Sequence, residues 1–226
     1  MSVSSDSLRR CEPYAGVAYV VFFLASMAVS NPPADNASNQ KWIANYASHG
    51  KQLHHLATGL LLLLAGLSLM TFLVALWRRI AAAHPAEPSR LPVAAAGAAA
   101  ALIGAGGMVM AYISGGELLG HYPLPSVDLL RMSNDLGFAL AGVAGSCAAG
   151  VAIATLSIQG YTAGLFGARM RAFGILTAFS LLLAMLFVPI GALILWVLIA
   201  AVMWIRRPAL GGGAPITAAH AGGSAA

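Results

Sequence analysis

The chain has 226 residues, of which 59% are hydrophobic and 8% charged, and its mean hydropathy is +0.82. A water-facing domain carries about a quarter charged residues, so this composition excludes an ordinary soluble globule. The net charge of +5 comes largely from arginines clustered at the ends of apolar runs, and no basic stripe is interleaved with aromatics, so lipid rather than nucleic acid is the expected partner.

Residues 1–13 read as a cytoplasmic N-terminal segment, 14–207 as the membrane domain and 208–226 as a disordered Gly/Ala-rich tail. The first apolar run is Tyr14 to Ser30. Arg9 and Arg10 before it, and Ala28-Val29-Ser30 at its end, also suit a cleaved signal peptide. An uncleaved span is preferred, because the run holds aromatics and no clear polar region precedes the site. Loop one, Asn31 to His55, opens with Pro32-Pro33. Beyond it Trp42, Ile43, Tyr46 and Leu53 recur at helical spacing. This predicts an amphipathic helix in the outer interface, capped by Ser38, with Trp42 and Tyr46 at headgroup depth.

Span two is Leu56 to Trp77, span three Pro92 to Ile113 and span four Leu136 to Ile158. Between the last two, Val127, Leu129, Leu130 and Met132 suggest a second short interfacial segment, with Ser133, Asn134 or Asp135 capping span four. Ala172 to Ile205 is almost unbroken, and one helix of that length would be about 51 Å long, far beyond a ~30 Å hydrocarbon core. Val188-Pro189-Ile190-Gly191 therefore reads as a reversal between spans five and six. The expected fold is an all-α, polytopic bundle of six transmembrane helices with an interfacial helix in the first outer loop.

Charge sets the orientation. Six spans put Arg9, Arg10, Arg78, Arg79, Arg90, Arg169, Arg171, Arg206 and Arg207 on one side and Lys41, Lys51 and Arg131 on the other. Positive residues favour the cytoplasm, so the expectation is a multi-pass cell-membrane protein with both termini cytoplasmic.

Two rows of small residues mark span four: Gly142, Ser146 and Gly150, and Gly137, Ala141, Gly145 and Ala149. Span three offers Ala96, Ala100, Gly104, Gly106 and Gly107. These predict a tight pairing of spans three and four, or self-association or a membrane-protein partner through the same faces. Gly104, Gly106 and Gly107 could also bend span three. Span two and Leu181 to Phe187 of span five should turn leucine-rich faces to lipid.

No ionisable residue falls inside the six spans, which argues against a proton- or ion-coupled transporter. The polar residues there, such as Tyr19, Thr71, Thr155 and Thr177, are expected to bond neighbouring helices or carbonyls. Cys11 and Cys147 lie at different depths and should not pair. Ligand-type side chains gather only at the outer boundary, with His54, His55, Glu117, His121 and Asp135 as the candidate cluster and His49 nearby. They could form a metal or acid–base site, but their spacing matches no metal motif, and helix-end polar residues are expected there anyway. No cofactor is expected.

Four segments carry a resemblance: Asn31-Pro32-Pro33-Ala34-Asp35, Tyr46 with His49, Trp77-Arg78-Arg79, and Asn134-Asp135-Leu136-Gly137-Phe138. They resemble uncharacterised bacterial multi-span membrane proteins, which implies architecture and no activity. The chain is accordingly expected to be a non-catalytic accessory or scaffold subunit of a membrane complex. A small-solute permease or channel is one alternative. A membrane enzyme or metal/redox protein is another, and it requires the outer His/Glu/Asp group to converge.

Overall fold

The computed structural model describes residues 11–84, 86–183 and 189–206. Among these there is no strand. Seven helices follow in chain order: α1 Tyr14–Val29, α2 Asn39–Ala47, α3 His49–Ala83, α4 Leu91–Gly120, α5 Val127–Thr162, α6 Ala168–Leu181 and α7 Pro189–Arg206. Helices α3, α4 and α5, with 35, 30 and 36 residues, are long and apolar enough to cross a membrane. Helices α1, α6 and α7 are shorter, with 16, 14 and 18 residues. We refer to the end of the bundle carrying α2 as outer and the end carrying residues 86–90 as inner.

Several boundaries differ from expectation. Leu53 does not extend the amphipathic helix: the chain leaves helical geometry at Ser48 (φ −79°, ψ 117°), so Leu53 belongs to α3. Ser38 does cap α2, its hydroxyl accepting from the Lys41 amide at 3.4 Å. No separate interfacial segment precedes span four. α5 starts at Val127 and runs on through a π-helical stretch at Ala139–Ala144. Ser133, Asn134 and Asp135 are thus inside the helix, not caps, and Asp128 is the acid in its first turn. Ser133 Oγ donates instead to the Val109 carbonyl of α4 (2.9 Å). Pro189 does not form the reversal either. It opens α7, the first-turn position where a missing N–H costs nothing. Val188 and Ala184 to Phe187, the tail expectation and Arg207 lie outside the described residues.

Glycine sets the closest approaches. A Cβ on Gly107 would sit 2.9 Å from the Gly59 carbonyl oxygen, and one on Gly66 2.8 Å from that of Ala100, so α3 and α4 pack backbone to backbone. The other face of α4 meets α5: a Cβ on Gly106 would lie 2.7 Å from Ala141 Cβ, and one on Gly145 2.7 Å from Ile103. The expected pairing of spans three and four is present, and span two, read as a leucine-rich lipid face, holds α4 at least as tightly. The glycines expected to bend span three lie in a continuous α-helix. Leu60, Leu64 and Leu67 of α3 do face outward, whereas Leu69 and Phe72 are fully buried. Leu182 and Leu183 are exposed, but Leu181 is buried against Gly150.

The shorter helices run alongside the longer ones. The start of α1 meets the end of α7, since a Cβ on Gly16 would be 3.2 Å from Ala201 Cβ. Trp204 of α7 receives the Arg79 guanidinium over its ring (5.1 Å), which fixes the last turn of α7 at the inner end. Ile190, at the other end of α7, lines a cavity with Ser30 and Asp135. Tyr19, Leu69, Phe72, Ile153, Leu156 and Trp196 fill the centre of the bundle.

Candidate functional site

The outer cap is built on the aromatic face of α2. Trp42 and Tyr46, one helical turn apart, stack at 6.3 Å and are almost completely buried against Leu130 of α5. The sequence alone puts them at headgroup depth. They pack on protein instead, because the start of α5 supplies an apolar surface and leaves Ile43 as the outward residue. Arg131 reinforces this contact. Its guanidinium donates to the Ala37 carbonyl (2.9 Å) and Asn39 Oδ1 (3.1 Å) and lies 5.8 Å from the Trp42 ring centre. Burial pushes the Tyr46 phenol up to about 12, so it stays neutral.

Below α2, polar side chains fasten the cap to the bundle. Gln52 Nε2 donates to the Tyr46 carbonyl at 2.9 Å. His55 Nδ1 lies 2.6 Å from Ser114 Oγ of α4, and its ring packs 4.5 Å from that of Tyr46. One ring nitrogen of His55 is thereby engaged, and the side chain is buried.

The five candidate residues are not brought to one point. His54 is exposed on α3, while the adjacent His55 is buried. Glu117 and His121 line a cleft of ≈ 430 Å³ together with His49, Gln52 and Tyr122. Glu117 Oε2 is enclosed there without a hydrogen-bond partner among the described residues. His121 ends α4 in the left-handed region (φ 53°), a position that usually falls to glycine. Asp135 lies on a different cavity from Glu117 and His121. Among the described residues no three His, Cys, Asp or Glu side chains group to hold a metal ion.

The second cavity, of ≈ 410 Å³, has no direct signature in the sequence. Helices α1, α3, α4, α5 and the start of α7 all line it. Two of the segments that carry the resemblance meet here: Pro32, Pro33 and Asp35 from one, and Asn134, Asp135 and Phe138 from the other. Thr58 on its wall is 5% exposed, and its hydroxyl has no partner among the described residues. The π-helical stretch of α5 contributes Ala141 and Gly142.

Polar groups within the bundle mostly bond locally, as expected: Thr71 to the Leu67 carbonyl and Thr155 to that of Val151, each at 2.8 Å. Tyr19 and Thr177 differ, since both hydroxyls are buried and unpartnered among the described residues. Cys11 and Cys147 are both free thiols. At the inner end, the Ser89 carbonyl accepts from Trp77 Nε1 (3.0 Å) and Gln159 Nε2 (3.1 Å), tying the segment at Ser89 to α3 and α5. No protein-family model matches the chain, and no curated protein or solved structure matches it.

Proposed function

We propose that the chain is a multi-pass membrane protein that crosses the bilayer six times with both termini cytoplasmic, and that it acts as a non-catalytic accessory or scaffold subunit. The observation that carries the second half is the use made of the outer polar residues. His55, Gln52, Arg131 and Ser114 are engaged in holding α2 onto the bundle, so the one buried histidine of the outer group serves to fix a rigid outer cap. A cap fixed in this way is a preformed surface, and preformed surfaces bind partners with less ordering cost. At the end of α4, on the same outer side, Leu119 and Tyr122 are 78% and 69% exposed.

Six crossings are supported by the way α1 and α7 run the length of the bundle between its inner and outer ends. They are supported too by Arg78, Arg79, Arg90, Arg169, Arg171 and Arg206, which such a path keeps on one side. The resemblance to bacterial multi-span proteins agrees with this architecture.

Two measurements test the reading. Reporter fusions placed after Gly120 and after Arg207 should be active on opposite sides of the membrane, and activity on the same side removes six crossings. Gentle purification from the native host should recover the chain in a stoichiometric larger complex that is lost on Tyr122→Ala plus Leu119→Ala. Recovery of a free chain, or a complex indifferent to both substitutions, removes the scaffold role.

A further inference from the structure

The ≈ 410 Å³ cavity between α1, α3, α4 and α5 is graded from polar to apolar along the bundle. Chain order sets the grade. α1 rises toward the outer end, so Phe23 is deep in the wall, Ser30 is above it, and Asp35 is at the mouth. α5 descends from the outer end, so Asn134 and Asp135 stand at the mouth while Phe138 and Ala141 lie lower. Leu62 and Met110 complete the apolar part. Thr58, on α3 one turn toward the outer end from Leu62, presents a buried hydroxyl with no described partner. A buried hydroxyl left unbonded is costly, so a group able to bond it is favoured.

The charge at the mouth is one-sided. Asp35 and Asp135 both line it, and among the described residues neither is in an ion pair. Arg131, one turn before Asp135 on α5, is the natural neutralising group at i,i+4. Its guanidinium is instead committed to Ala37, Asn39 and Trp42. The wall also contains the π-helical stretch Ala139–Ala144, a widened turn that recurs at ligand sites. The volume lies within the range that holds a small molecule.

We propose that this cavity binds a cationic amphiphile, a molecule with a primary ammonium head and a single apolar chain. The head sits between Asp35 and Asp135 with an N–H to donate to the Thr58 hydroxyl, and the chain lies along Phe23, Leu62, Met110 and Phe138. An anionic or phosphate-bearing head is disfavoured by the two carboxylates. This site is independent of the accessory role, since a chain that purifies without partners would bind equally well.

The full-length protein, purified in a neutral glycoside detergent, is irradiated with a long-chain primary alkylammonium probe carrying a diazirine in its chain. The matched alkyl sulfate and alkyl phosphocholine probes serve as comparators. The ammonium probe should label peptides containing Phe23, Leu62, Met110 or Phe138, with half-saturation at least about tenfold lower than for either comparator. Asp35→Asn with Asp135→Asn should raise that half-saturation about tenfold or more, since charge-assisted contacts are being removed. Both positions are exposed, so the variant keeps the fold, and unchanged thermal unfolding checks this. Met27→Trp, at the half-exposed rim, should reduce labelling by all probes. Equal labelling by ammonium and sulfate, better labelling by the phosphocholine, labelling at other peptides, or indifference to the double variant each overturns the proposal.

Discussion

Two neighbouring histidines show how burial divides one residue type into two roles. His54 and His55 are adjacent in sequence and equivalent there as ligand candidates. The helix turns one outward and the other onto Ser114 and Tyr46. Ser114→Ala leaves the buried His55 Nδ1 without its partner at 2.6 Å, and an unpaired buried polar atom costs about 1–3 kcal/mol. The expected outcome is a clear drop in the thermal midpoint in detergent, while His54→Ala moves it little because exposed substitutions stay within about 0.5 kcal/mol. Equal effects from the two variants would contradict the fastening role of His55. The distinction is not legible in the sequence, because it depends on where α4 places Ser114, 59 residues away. The residue types, the outer location and the Ser38 cap are legible there. So is the helical spacing of Trp42 and Tyr46. Their destination is not, because a protein surface and a headgroup layer both accept an aromatic face.

At the scale of the helices, small residues are the most informative part of the sequence and also the most ambiguous. The row Gly137, Ala141, Gly145 on span four meets α4 as expected. Gly59 and Gly66 on α3 are hidden among leucines, yet they form the backbone contacts with Gly107 and Ala100. Their spacing of seven residues is the available signal, and the surrounding leucines mask it. A side chain larger than hydrogen at Gly107 or Gly66 must push against backbone, which cannot move aside as a flexible side chain can. Gly107→Leu is therefore expected to destabilise the bundle by at least the roughly 1–3 kcal/mol typical of overpacking. Gly97, on the same helix, has nothing within 4 Å of where a Cβ would stand, so Gly97→Leu should be nearly neutral. Thermal unfolding of the two variants side by side separates close helix contact from a general intolerance of leucine in α4. The helix ends are less legible. The polar run Ser133-Asn134-Asp135 resembles a cap and conceals the start of α5 at Val127, and an uninterrupted helix offers no competing local signal.

For the whole molecule, the helices do not share one length. α1, with 16 residues, spans about 24 Å, α6, with 14, about 21 Å, and α7, with 18, about 27 Å, whereas the apolar part of α3 from Leu56 to Trp77 spans about 33 Å. If all of them cross, the bilayer must thin beside α1, α6 and α7 or leave part of α3 in the interface, at a cost of fractions of a kcal/mol per Å of mismatch. α7 touches α1 near Gly16 and Ala201 and α6 near Gly174 and Trp196, so the mismatch of the three short helices falls on one side of the bundle and is not averaged around it. A thick bilayer should therefore act on these three helices first, while the contact of α3 with α4 at Gly59 and Gly107 stays intact. In nanodiscs of phosphatidylcholine, the thermal midpoint should fall as the acyl chains lengthen beyond those matching α1. The loss should be accompanied by earlier exposure of Trp204, which packs beside Phe72 and Arg79 at the inner end of α7, than of Trp42 in the outer cap. Single-tryptophan variants report the two sites separately by quenching. A midpoint that rises with thickness, or simultaneous quenching of both tryptophans, would mean that the short helices do not bear the bilayer's edges, and six crossings would lose their physical basis.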